Sequence, residues 1–139
     1  MKSELVLHPA ATMVVAPLVD PVVERHGFGP ASSYVEFCWL PTLGPTTTWL
    51  YRRLAMPLLV EDELEIDLVD LAVSLGLGEG LGRNAPLIKS LGRLVSFGAA
   101  DWGGTRLLVR RALAPLTVMQ AKRLSLSARQ HHDELLGDR

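Results

Sequence analysis

Lys89, Arg93 and Ser96 recur at i, i+4 and i+7, which places two cations and a hydroxyl on one face of a helix. Ser90 stands beside them. Arg83 precedes the same stretch, at a point where a helix N-terminus also favours an anion. No Asp or Glu lies between Arg83 and Val95. Farther along, Arg106 follows a Gly103-Gly104 pair, and Arg110 closes the strand-like run after it. An arginine fork matches a phosphate or the edge of guanine, a lysine offers a point charge, and a serine hydroxyl serves either. Together these residues have the chemistry to hold a nucleic-acid backbone and touch base edges. The competing account of the same residues is a solvated surface.

Other combinations carry less. Gly76, Gly78, Gly80 and Gly82 suggest a nucleotide loop, but the dinucleotide fingerprint needs glycine where Leu81 stands, and the run follows a helix pattern rather than a strand. His131 and His132 are adjacent, so on a helix they point in different directions and make a poor metal site; His8 and His26 are remote. Cys38 sits among apolar residues, as a core thiol does. The acidic run Glu61 to Glu65 has no accompanying nucleophile or base. The expectation is a non-enzymatic protein with no metal or cofactor.

The elements that must position the basic residues follow from periodicity. Residues 1–30 hold Pro9, Pro17, Pro21 and Pro30 and predict an N-terminal arm, partly irregular, with Leu5 to Leu7 as a short strand and Val14 and Val15 packing on the body. Ser32 or Ser33 caps a short apolar helix from Tyr34 to Leu40, which Pro41 and Gly44-Pro45 end. A second helix starts near Thr46 with Leu50, Leu54 and Leu58 on its stripe. Glu61 to Asp67 alternates like a half-buried strand, and Asp67 caps a helix that Gly76 stops. Leu87, Ile88, Leu91, Leu94 and Val95 form the buried face of the next helix, which Asn84 caps and Pro86 opens. Ala99 to Trp102 and Arg106 to Arg111 make a hairpin, with Trp102 packed beneath its tip. A long helix runs from Pro115 towards Leu136, with Leu124, Ala128 and Leu135 on one side.

Strand, helix, helix, hairpin is the succession of a winged helix-turn-helix, in which the second helix enters the major groove and the hairpin flanks it. The expected class is mainly α with a small β-hairpin (α+β), a winged helix-turn-helix with extra N-terminal helices and a C-terminal helix, the domain spanning 31–139. Composition suits one such domain: 139 residues, 48% hydrophobic and 21% charged, with one cysteine and therefore no internal disulfide. No run reaches the length of a membrane span and no secretory leader is evident, which predicts a cytoplasmic protein without a membrane partner. Net charge is −1, but it is segregated. Residues 1–79 hold four cations and eleven anions; residues 80–139 hold ten cations and four anions. Such asymmetry is a footprint expected of a polyanion's partner.

Three stretches, Tyr34-Val35-Glu36-Phe37-Cys38-Trp39-Leu40-Pro41-Thr42-Leu43-Gly44-Pro45, Arg83-Asn84-Ala85-Pro86-Leu87-Ile88-Lys89-Ser90-Leu91 and Arg93-Leu94-Val95-Ser96-Phe97-Gly98, resemble small actinobacterial winged-helix-like proteins over residues 32–124. The resemblance implies the fold and supplies no catalytic or ligand residues. The expected partner is double-stranded DNA, as for a transcriptional regulator or a mobile-element accessory protein. The alternative is a winged-helix module that docks a protein through the same surface. A homodimer is expected, through the helix after Pro115 or the helices around Trp39 and Trp49.

Overall fold

A computed structural model describes residues 11–137 and shows an α+β fold built on a four-stranded sheet. The strands are β1 (Thr12–Pro17), β2 (Leu64–Asp67), β3 (Ala100–Gly103) and β4 (Arg106–Val109), in the order β2-β1-β4-β3. β1 runs antiparallel to β2, with Val15 opposite Leu64, and parallel to β4, with Val15 opposite Leu107. The sheet is therefore larger than a lone strand and a hairpin. Its centre comes from Thr12–Pro17, inside the stretch read as an arm. Met13 and Val15 alternate with Thr12 and Val14 and are buried. The prolines that argued against a helix stand where they are tolerated: Pro17 ends the strand and Pro21 opens α1 (Pro21–His26). The strand expected at Leu5 to Leu7 lies outside the described residues, as does His8.

Helices cover the sheet. A π-helical segment (Val35–Trp39) leads into α2 (Leu40–Leu43), α3 (Pro45–Ala55) and a 3₁₀ turn (Pro57–Leu59). Then come α4 (Leu68–Ser74), α5 (Pro86–Ser96), α6 (Val118–Ala121) and α7 (Leu126–Gly137). Ser32 Oγ accepts from Val35 N (3.3 Å) at the first of these, and Asp67 Oδ1 accepts from Asp70 N (3.0 Å) to cap α4. Leu50, Leu54 and Leu58 are buried, as their spacing requires. Of the face expected on α5, Leu87, Leu91 and Leu94 are buried, while Ile88 and Val95 are half-buried against the core.

Beyond β4 the chain departs from a single long helix. Pro115 lies outside any helix, and Thr117, in extended backbone, forms with Gln120 a capping box that opens α6. A break follows, and Ser125 Oγ then accepts from Ala128 N (3.2 Å) to start α7. Local hydroxyl bonds to the backbone compete successfully with helix continuation. α7 packs on the π-helical segment, and at its start Tyr34 Oη and His132 Nδ1 share a buried hydrogen bond of 2.6 Å. Tyr34 Oη also accepts from Leu116 N (2.9 Å), and its ring stacks on Phe28 with centroids 3.9 Å apart. His131 instead meets Ser33 Oγ at 3.0 Å, so the two histidines serve different contacts. Cys38 is buried against Ala128, and burial pushes its thiol up to about 11, which leaves it protonated at neutral pH.

Polar clamps tie α1 to the sheet. Asp20 caps α1 by accepting from Val23 N (3.2 Å) and also pairs with Arg110 Nη1 (2.9 Å). Arg111 grips Glu24 with both Nε and Nη2 at 2.9 Å.

Two outcomes test this packing. Leu91→Ala should cost ~2–5 kcal/mol in chemical denaturation, because it empties a fully enclosed site under α5. Arg110, and then the Val23 amide, hold the Asp20 carboxyl below its ordinary range. A depressed carboxylate stabilises the fold above its unfolded pKa and loses that contribution as pH falls through the folded value. Asp20→Asn keeps a capping acceptor but not the charge. Its melting temperature should lie below that of the unmodified chain at neutral pH, and the gap should close as the solution is taken below the ordinary carboxylate range.

Candidate nucleic-acid interface

The candidate site is the outer face of α5 and the hairpin beside it. α5 begins at Pro86, whose fixed φ and missing N–H suit a first helical turn. Ala85 is the N-cap and uses no side chain, and Asn84 lies exposed ahead of it, so the asparagine does not cap as its type suggested. The helix ends in a Schellman motif. Gly98 has φ +78, Ala99 N donates to Leu94 O (2.9 Å) and Gly98 N donates to Val95 O (3.0 Å). That reversal sends β3 back along α5, and the positive φ of Gly104 (+71) turns β3 into β4. The hairpin is thereby held against the helix that precedes it.

The seven residues expected at this surface separate once they are placed. Lys89 is exposed, and it lines an open groove of about 440 Å³ with Ser90, Gly92, Arg93, Ser96 and Thr47 of α3. A side chain at Gly92 would meet nothing within 4 Å, so the backbone there lies open to an approaching ligand. Arg83 is exposed in the loop before α5. Ser96 is exposed, with its hydroxyl donating to Arg93 O (3.2 Å). Thr47 had no signal in the sequence, because its place beside α5 comes from the packing of α3 on α5.

Two of the seven are drawn into other work, and a third is largely covered. Ser90 is buried, three residues after Leu87 and four before Leu94, yet it contributes to the floor of the same groove. Arg110 is only part-exposed; besides pairing with Asp20, its Nε donates to Gly98 O (2.7 Å). Arg93 keeps its exposure, but its fork is occupied. Nε donates to Leu43 O (2.6 Å) and Nη2 to Thr42 O (3.0 Å), and the guanidinium lies 4.9 Å from the Phe97 ring centroid. The edge of the guanidinium that would read guanine instead satisfies carbonyls at the end of α2, which a helix C-terminus leaves unpaired.

The hairpin differs as well. Trp102 is 39% exposed rather than packed as core, because it sits at the last inner-face position before the turn. Arg106 reaches Glu63 at 3.5 Å with both side chains largely in solvent. Such a pair is weak and salt-screened, so Arg106 stays available to a stronger anion.

A consequence follows for Arg93. Arg93→Ala should lower stability by ~1 kcal/mol, through two charge-assisted bonds to backbone carbonyls discounted for exposure, and should shift the thermal melt. If the chain binds duplex DNA, its choice among sequences should be unchanged by this substitution in a competition binding assay. A variant with altered base preference and an unshifted melt would return Arg93 to the reading face.

No protein-family model matches this chain, and neither the curated proteins nor the solved structures compared with it include a significant match.

Proposed function

We propose that the chain is a winged-helix DNA-binding protein without enzymatic activity, acting in the cytoplasm as a transcriptional regulator or a mobile-element accessory protein. α4 and α5 stand as the helix-turn-helix, α5 as the recognition helix and β3–β4 as the wing. The observation that carries this reading is the outer face of α5. Lys89, the bare backbone of Gly92 and Ser96 share one open groove, Arg83 is exposed in the loop before the helix, and no acid occurs from Arg83 to Ala100. An exposed, acid-free helix face beside a short hairpin has the shape and sign to lie in a DNA major groove. On this reading Arg83 and Lys89 hold phosphates, Ser96 and the Gly92 backbone approach the bases, and Arg106 meets the backbone from the wing. Sequence reading is modest, because the one arginine on the helix face is engaged elsewhere.

Phosphate contacts release counterions, so binding to a random duplex should weaken steeply with salt. Lys89→Ala should weaken binding to all sequences alike and flatten the logarithmic salt slope by about one unit. Arg83→Glu with Lys89→Glu should abolish duplex binding while circular dichroism and the melting profile stay as they were. If that folded double variant binds duplex as the unmodified chain does, α5 is not the DNA-contacting helix and the reading fails.

A further inference from the structure

α3 turns Leu50 and Leu54 into the core and presents a different stripe to solvent. Trp49, Arg52, Arg53 and Met56 stand at i, i+3, i+4 and i+7 along it and line one open groove of about 390 Å³. Trp49 is 56% exposed and Met56 42% exposed. The Arg52 guanidinium lies 5.4 Å from the Trp49 ring centroid and is anchored to Pro30 O (2.9 Å), with Glu36 3.9 Å away. Arg53 is exposed and donates to Ser74 Oγ (2.6 Å). The chain then passes through its 3₁₀ turn and presents Leu59 and Val60, exposed by 52% and 84%. Exposed Glu61 and Asp62 follow at once.

The chain thus presents two exposed segments of complementary character, three residues apart in sequence. One is a groove in which Trp49, Met56 and Pro57 are joined by Arg52, Arg53 and Glu36, with Arg52 and Glu36 3.9 Å apart and Arg53 exposed; the other is an apolar turn with two exposed carboxylates. Large apolar side chains clustered on a surface mark an interaction site. What would fit the groove is an aliphatic pair followed by acids, and the chain supplies that segment itself, within one element of the groove. A two-fold rotation brings each half onto the other, which is how a self-complementary patch closes into a dimer.

We propose that this face is a homodimer interface. The Trp49–Met56 stripe of α3 in each protomer receives the partner's Leu59–Asp62 turn. Arg53 then faces carboxylates of the second copy, and the four exposed apolar side chains leave water. None of these residues belongs to the α5 groove, so the dimer leaves Lys89, Gly92 and Ser96 open. The assembly stands or falls independently of the DNA reading.

Sedimentation of the full chain from micromolar to hundreds of micromolar tests it. The mass should rise from that of a 15.2 kDa monomer towards twice that value. Arg53→Glu alone, and Glu61→Lys with Asp62→Lys alone, should each weaken self-association by about tenfold or more, since like charges facing across an interface are costly. The lysine variant alters only exposed residues outside the helices, so its loss of association cannot be put down to misfolding when its melt is unchanged. Mixed in equal amounts, the two variants should associate again, because both contacts of the mixed pair regain opposite signs. A monomer at every concentration, charge variants that still dimerise, or a mixture that stays monomeric would each overturn the proposal. So would a monomeric chain whose duplex binding is weakened by Arg53→Glu, which would assign this face to nucleic acid.

Discussion

β1 lies between β2 and β4, and through it each of those strands completes its backbone hydrogen bonding on that side. Backbone groups in a sheet interior cannot be left unpaired without a cost comparable to a lost hydrogen bond. Without β1, β2 would be an isolated acidic strand and the hairpin a two-stranded ribbon, which is marginal by itself. With β1 in place, Val15 is fully enclosed, and the inner face of the sheet meets α3 and α5 as one surface. Parallel pairing with β4 also explains why this strand comes from so far away in sequence. A parallel neighbour needs a long crossover rather than a hairpin. Here the connection from β1 to β4 contains α1 to α5, and of these α3, α4 and α5 pack back against strands of the sheet.

The charge distribution takes a different form in space from the one it has along the chain. Three cations of the basic half reach back to acids of the other half: Arg106 to Glu63, Arg110 to Asp20 and Arg111 to Glu24. Folding therefore spends part of the segregated charge on fastening α1 and β2 to the hairpin. On α5 and in the loop before it, Lys89 and Arg83 stay exposed, and the electrostatic reach of such charges is set by the ionic strength. The same accounting applies to Arg93, which joins α5 to the end of α2 and helps fix the helix whose outer face it shares.

Three aromatic side chains inside the core have their polar atoms paired in a similar way, whereas the buried Thr48 hydroxyl has no protein partner. Tyr51 Oη donates to Arg110 O (2.9 Å), Trp39 Nε1 donates to Ala114 O (2.9 Å) and Tyr34 Oη joins His132 and Leu116. Each of these aromatic residues lies on or beside a helix in the first half of the chain and is satisfied by the stretch after β4. A mostly aliphatic core gains its directional links from these three residues, since unpaired buried polar groups would oppose the docking they now define.

Several elements were legible in the residues alone. The apolar rows of α3 and α5, the Asp67 cap, the helix stops at Gly76 and Gly98 and the Gly103-Gly104 turn all follow from local rules: a 3.6-residue period, a side chain reaching a nearby amide, a φ that glycine tolerates. The same rules found Lys89 and Ser96 on the outward side of α5, because facing away from a strong apolar stripe is a local property. They also suggested Asn84 as the cap of α5, a place that Ala85 takes without a side-chain bond. What only the tertiary structure decided depends on groups far apart in sequence. β1 joined the sheet because β2 and β4 needed a strand between them, and its prolines spoke only against a helix. Arg93 and Arg110 became clamps because carbonyls from Thr42, Leu43 and Gly98 were brought within reach of their guanidinium groups. Trp102 stayed exposed because the inner face of the sheet ends at the turn. A local pattern states which way a side chain points on its own element; what it meets there is decided by the other elements, through long-range packing that no spacing along the chain encodes.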